Sequence, residues 1–144
     1  MIGREQIAAL IPHAGAMCLL DRVLRWDEAS IRCLSLRHRA ADNPLRRASG
    51  LAAICGIEFA AQAMAVHGRL AGDAARAPRA GYLASLRDVT WREERLDLLA
   101  DALVIDARRL AGDERQALYR FALACAGREV LSGRAAVVLD LPSA

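Results

Sequence analysis

The sequence predicts an α+β domain in which a curved antiparallel sheet wraps a long central apolar helix. Three observations carry this. From Leu51 to Val66 the chain is almost entirely Ala, Ile, Leu, Phe, Met, Val or Gly with no proline, the composition of a buried helix. Two strand-like segments precede this run, and four follow it, with apolar and polar residues alternating from Tyr82 onward. Antiparallel strands with one greasy face need a covering layer, and a single long helix supplies it. With 144 residues and 55% hydrophobic content, the chain suits one domain over 1–144 with an ample core.

The elements follow in order. A short helix is expected from Arg4 to Leu10, ended by Pro12, and Pro12-His13-Ala14-Gly15 reads as a turn. Met17 to Trp26 and Ser30 to His38 read as strands joined by an Asp27-Glu28-Ala29 hairpin. Asp42-Asn43-Pro44 and Ser49-Gly50 mark an irregular loop before the central helix, and Ala71 to Pro78 a polar loop after it. Tyr82 to Trp91, Leu98 to Arg108, Gln116 to Cys125 and Glu129 to Leu141 are the later strands. Ala126-Gly127-Arg128 is the hairpin between the last two, and Leu96 to Ala107 also admits a helical reading.

Composition narrows the function. All 20 basic residues are arginine, the net charge is +3 and aromatics are 4%, so a nucleic-acid module is not expected. Cys18, Cys33, Cys55 and Cys125 lack metal-like or paired spacing and read as reduced, buried thiols of a cytoplasmic protein. The N-terminus is too polar for a signal segment, and Glu58 interrupts the one long apolar run, so no membrane role is expected. There is no GxGxxG, P-loop or HExxH, so neither cofactor nor metal is expected.

Within the apolar run, Glu58 and Gln62 stand four residues apart on one helical face, with Cys55 a turn earlier. A carboxyl buried there is either paired with an arginine or has a raised pKa, and the second case makes a proton donor. His67 and Arg69 fall at the C-terminal end of the helix, where cations complement its dipole, and are expected at the surface or an interface.

The stretch Leu10-Ile11-Pro12-His13-Ala14-Gly15-Ala16-Met17-Cys18-Leu19-Leu20-Asp21-Arg22-Val23 resembles the opening segment of bacterial 3-hydroxyacyl-acyl-carrier-protein dehydratases. Gly56-Ile57-Glu58-Phe59-Ala60-Ala61-Gln62-Ala63 is similar to their central helix, whose acid is catalytic. Small predicted dehydratases like those of aryl-polyene biosynthesis share the Gly-Ile-Glu and Asn-Pro-Leu-Arg stretches seen here. The resemblance covers the N-terminal half by motif and the C-terminal strands by pattern, and it implies the hot-dog fold. One departure is clear: where the housekeeping enzymes carry a His-Phe-Pro loop, this chain has Asp42-Asn43-Pro44-Leu45-Arg46-Arg47-Ala48-Ser49-Gly50.

The resemblance implies dehydration of a 3-hydroxyacyl thioester carried on an acyl carrier protein. A base removes the C2 proton and an acid protonates the departing C3 hydroxide. Glu58 is the expected acid. His13, stiffened by Pro12, is the first candidate base and His38 the second. Gly56 at the helix start is a candidate oxyanion donor, Gln62 is expected to orient Glu58 or bind the leaving water, and Asn43 joins them in substrate binding. Arg46, Arg47, Arg87 and Arg92 are candidates to meet an acidic carrier. Uncovered strand edges point to a homodimer or higher oligomer, or to a heteromer with a second hot-dog subunit. Two rival readings remain: an acyl-thioester hydrolase on the same fold, and a non-catalytic partner subunit of a heteromeric dehydratase.

Overall fold

The computed structural model describes residues 2–11, 15–72, 81–113 and 115–139. In chain order the elements are β1 (Ile2–Gly3), α1 (Arg4–Leu10), β2 (Arg22–Trp26), β3 (Ser30–Ser35), α2 (Gly56–Ala71), β4 (Gly81–Trp91), β5 (Leu103–Gly112), β6 (Gln116–Cys125) and β7 (Arg128–Leu139). The strands form one curved seven-stranded antiparallel sheet in the order β1-β2-β3-β5-β6-β7-β4. The fold expected from the sequence is the fold observed.

Helix α2 lies against β3, β5 and β6. Alternation along each strand sends Ile31, Cys33 and Ser35, then Leu103, Ile105 and Ala107, then Tyr119, Phe121 and Leu123 inward. They meet Ile57, Phe59, Ala60, Ala63, Met64 and Val66 of the helix. Burying a side chain such as Phe59 contributes about 1.5–3 kcal/mol, so this one interface supplies most of the core.

The boundaries shift where side-chain hydrogen bonds overrule strand propensity. Residues 17–21 are not strand: Gly15–Met17 form a 3₁₀ turn, and β2 begins only at Arg22. Strand β3 stops at Ser35, and Arg37–Arg39 form another 3₁₀ turn. The strand expected from Leu98 starts at Leu103 and runs on to Gly112, so the helical alternative over Leu96 to Ala107 does not form. The apolar run opens as a 3₁₀ turn at Ala53–Cys55, and α2 proper continues past Val66 to Ala71. The loop expected after it lies outside the described residues beyond Gly72. Both hairpins form as expected. Asp27 Oδ1 accepts from the N–H groups of Ala29 and Ser30 at 2.8 Å each, and Ala126 and Gly127 take φ of 51° and 78°, matching the twist of β6 and β7.

The entry to α2 is fixed from three sides. Asp97 Oδ1 accepts the Leu51 N–H at 2.9 Å, Leu96 N–H donates to the Leu51 carbonyl at 2.8 Å and Ala53 N–H to the Glu94 carbonyl at 2.9 Å. Arg95 grips Asp97 through Nε at 3.1 Å and Nη2 at 2.6 Å, and this guanidinium holds the Asp97 carboxyl far below the usual carboxylate range. Gly50, at φ 106°, leaves room for that guanidinium, since a Cβ there would lie 2.6 Å from Arg95 Nε. A Cβ on Gly56 would lie 2.7 Å from Leu131 Cδ2 and 2.9 Å from Leu123 Cδ2, both fully buried. Gly56→Val therefore overpacks the joint between helix and sheet and should destabilise the fold by about 2 kcal/mol or more, read as a lowered denaturation midpoint.

Candidate functional site

The outer face of α2 is open in the single chain. Ile54, Glu58, Ala65 and Gly68 are exposed along it, at the three- and four-residue spacing of one helical stripe. Glu58 is thus not buried, contrary to the sequence expectation, because the sheet covers only the opposite side of the helix. Gln62 differs. Four residues on, it is turned about 40° around the axis, which carries it under the N-terminal segment, where it is 2% exposed.

There Gln62 Oε1 accepts the Leu19 N–H at 2.8 Å and Nε2 donates to the Met17 carbonyl at 2.7 Å. The carboxamide is fully occupied in fastening residues 17–19, so it does not orient Glu58. Arg4 adds to the clamp by donating to the carbonyls of Gly15 at 2.9 Å and Leu20 at 3.2 Å, and the Ser35 hydroxyl donates to the Leu19 carbonyl. Asp21 stands 3.6 Å from Arg4 and 3.3 Å from Arg37. Nothing in the sequence signals this clamp, whose partners are up to 45 residues apart. His13, the preferred base, lies outside the described residues, four positions before the first residue that Gln62 holds.

The other sequence-predicted residues fall as follows. The Gly56 N–H is turned back on the carbonyls of Ala53 and Ile54, so it is not an available oxyanion donor. This glycine serves packing instead. Asn43 is buried, its Nδ2 donating to the Arg37 carbonyl at 2.8 Å and its Oδ1 accepting the Leu45 N–H at 2.9 Å, which shapes the loop before α2. Asn43 nonetheless lines a cavity of about 440 Å³ together with Arg4, Ala8, Gly15, Cys18 and Arg37, beside the clamped segment. Glu58 and Gln62 do not line it. Cys55, half-buried one turn before Glu58, feels the charges of Glu58 and Arg47, and burial pushes its thiol up. Arg46 reaches Asp97 at 3.8 Å and Arg92 reaches Glu129 at 3.9 Å, while Arg87 sits on β4.

The two described histidines are core residues. His38 is fully buried with Nε2 3.0 Å from the Leu99 carbonyl. His67, expected at the surface or an interface, is also fully buried within the chain. Its Nδ1 lies 2.7 Å from the Tyr119 hydroxyl and its Nε2 2.9 Å from the Asp27 carbonyl, two polar partners that offset the loss of water. Among the described residues no group of His, Cys, Asp and Glu could hold a metal ion.

The family model described as ApeP dehydratase (ApeP-like) matches residues 5–141. The chain belongs to the ApeP-like dehydratase family. Its role is accordingly that of a dehydratase, a lyase that eliminates water from a 3-hydroxyacyl thioester. Among solved structures, the ApeI:P dehydratase heterocomplex from Xenorhabdus doucetiae superposes with a TM-score of 0.78 at 22% identity, covering 94% of this chain and 91% of that one. A mutant thioesterase from Pseudomonas aeruginosa gives 0.64 at 12% identity, with 96% and 94% covered. A thioesterase from Haemophilus influenzae gives 0.66 at 8% identity, with 97% and 92% covered. At these identities the structures establish the hot-dog fold, which dehydratases and hydrolases share. A search of curated proteins returns no significant match.

Burial pulls both described histidines below the usual 6.5, against the weaker opposite pull of their carbonyl partners. The folded state therefore binds fewer protons than the unfolded state just below that value. The stability contribution is complete above pH 6.5 and is lost as pH falls through the lowered folded values. Melting temperature should drop between neutral pH and mildly acidic pH, and His67→Gln should flatten that drop. An unchanged slope would mean His67 does not titrate differently on folding.

Proposed function

We propose that the chain converts a 3-hydroxyacyl thioester on an acyl carrier protein to the trans-2-enoyl thioester, with His13 as base and Glu58 as acid, in an assembly with a second hot-dog subunit. The observation that supports it is Glu58 on the open face of α2, one turn before the side chain that ties Met17 and Leu19, four and six positions after His13 in the sequence, to the same helix. In the elimination, an imidazole nitrogen of His13 takes the C2 proton and the C2–H electron pair becomes the new C=C bond. The C3–O bond breaks, and the departing hydroxide takes a proton from Glu58 to leave as water. Passage of the proton from imidazolium to carboxylate restores both groups.

A second subunit laid over the open face of α2 would exclude water from Glu58, and desolvation favours the protonated carboxyl that the step requires. Edge strand β4 invites such a subunit, with Tyr82 58% and Trp91 54% exposed and one long side of its backbone unpaired. The similar structure from Xenorhabdus doucetiae is described as a heterocomplex, which favours an unlike subunit as partner. The chain has no helix long and apolar enough to cross a membrane among its described residues, and its four free thiols suit a reducing cytoplasm.

The deciding experiment is mass spectrometry of a 3-hydroxyacyl carrier substrate incubated with the chain alone and with a candidate hot-dog partner. Loss of water with the thioester intact supports the reading. Release of the free acid would replace it with hydrolysis, the chemistry named for the thioesterase neighbours. Glu58→Gln and His13→Ala should each lower turnover by about a hundredfold or more while leaving the melting temperature unchanged. Wild-type turnover in Glu58→Gln would make that carboxyl dispensable. Light scattering should give a mass above the 15.6 kDa of one chain at micromolar concentration, and a stable monomer would remove the homo-oligomer.

A further inference from the structure

The face of the sheet turned away from α2 carries a row of arginines that the reaction does not use. In register, Arg108 of β5 stands opposite Arg120 of β6, Arg120 opposite Arg134 of β7, and Arg134 opposite Arg87 of β4. Ala107, Tyr119, Phe121, Gly133 and Ala135, chain neighbours of the first three, are buried on the helix side, so those guanidiniums leave by the outer face; Arg87 shares that face by standing directly opposite Arg134, and all four residues are exposed. Among the described residues only Arg134 of the four has a carboxylate within ion-pair distance, Asp88 at 3.9 Å. Asp106, on the same face, is committed to Arg32 by two bonds of 2.7 and 3.0 Å, and Asp27 lies near enough to Arg108 to feel its charge. Among the described residues Arg120 and Arg87 have no carboxylate partner.

Like charges directly opposite across strands destabilise a sheet. Four in succession break a local rule at the expense of the fold, and such breaks mark surfaces kept for function. We propose that this row docks an acidic helix of a partner protein, laid across the strands. The spacing supports a helix. Adjacent strands are about 4.8 Å apart, so the row repeats its charge at that interval and spans about 14 Å. A helix with Asp or Glu at every third or fourth position repeats its charge about every 5.4 Å, or about 16 Å in three turns. Of the adjoining cross-strand rows, one is Asp106, Ala122, Ser132 and Thr90, its carboxylate held by Arg32, and the other includes Leu118, Ala136 and Ser85, with Leu118 45% exposed. Nucleic acid fits less well, because the adjoining rows present no aromatic ring for base stacking.

The test is fluorescence anisotropy on the full chain. The probe is a synthetic helical peptide with glutamates in one stripe, compared with a peptide of the same composition whose glutamates are spread around the helix. The striped peptide should bind several-fold more tightly, and its affinity should fall as salt rises. Arg120→Glu with Arg134→Glu should weaken it by about tenfold or more, whereas Arg22→Glu with Arg25→Glu, on β2 at the far end of the sheet, should change little. Arg120→Thr supplies a second readout: relief of repulsion should raise the melting temperature by about 2 °C while weakening the striped peptide. Equal affinity for the two peptides would overturn the proposal. So would indifference to Arg120→Glu with Arg134→Glu in a variant that melts like wild type, or tighter binding of duplex DNA than of the striped peptide.

Discussion

The carboxamide of Gln62 is the contact on which the arrangement of the N-terminal third depends. It belongs to a helix held by the sheet, and it gives both of its polar ends to the backbone of a segment that has no α-helix or strand of its own, just the 3₁₀ turn Gly15–Met17 and the extended residues after it. Each buried backbone group that loses such a partner costs about 1–3 kcal/mol, so an apolar side chain of similar size would leave the Met17 carbonyl and Leu19 N–H stranded. Arg4 and Ser35 bind the same segment through the carbonyls of Gly15, Leu20 and Leu19. Residues 15–20 thereby become a fixed wall beside α2, although nothing in their own sequence stiffens them.

The helix itself is located by polar contacts at three heights and by apolar contact between them. At its start the Asp97 carboxylate and the close approach of Gly56 to Leu131 and Leu123 set its position. Gln62 acts at mid-length. Near its end His67 is held between the Tyr119 hydroxyl, whose own ionisation burial pushes up to about 12, and the Asp27 carbonyl at the β2–β3 turn. Among the described residues Glu58 has no hydrogen-bond or ion-pair partner, yet its Cα is fixed by the turns on either side.

Much of this was legible in the sequence because periodicity reports burial. The order of elements, the long helix and both hairpins follow from apolar spacing and turn residues, and the membership of the family followed from two short motifs. Burial of individual polar residues was not legible. Glu58 and Gln62 are equivalent in the apolar pattern, but a rotation of about 40° separates solvent from core. His67 reads as a helix-terminal cation, and only the meeting with Tyr119, distant in sequence, makes it a core residue. Gly56 reads as a site for close approach, which is correct, but what approaches is the sheet and not a substrate oxygen. The local code fixes which residues are inside on average, while long-range partners decide the exceptions.

The uncovered surfaces of the chain differ in what they accept. Edge strand β4 offers unpaired backbone and apolar side chains, and the open stripe of α2 offers small residues around one carboxyl, so another sheet and helix of the same kind can extend the first and cover the second. The outer face of the sheet offers the opposite. A copy stacked there by a two-fold axis would bring Arg87, Arg134, Arg120 and Arg108 against their own equivalents, a like-charge contact that costs free energy at every strand. Growth through the edge and growth through the face are thus separated by charge, and the same arginines that oppose a second copy leave that face open to an acidic surface.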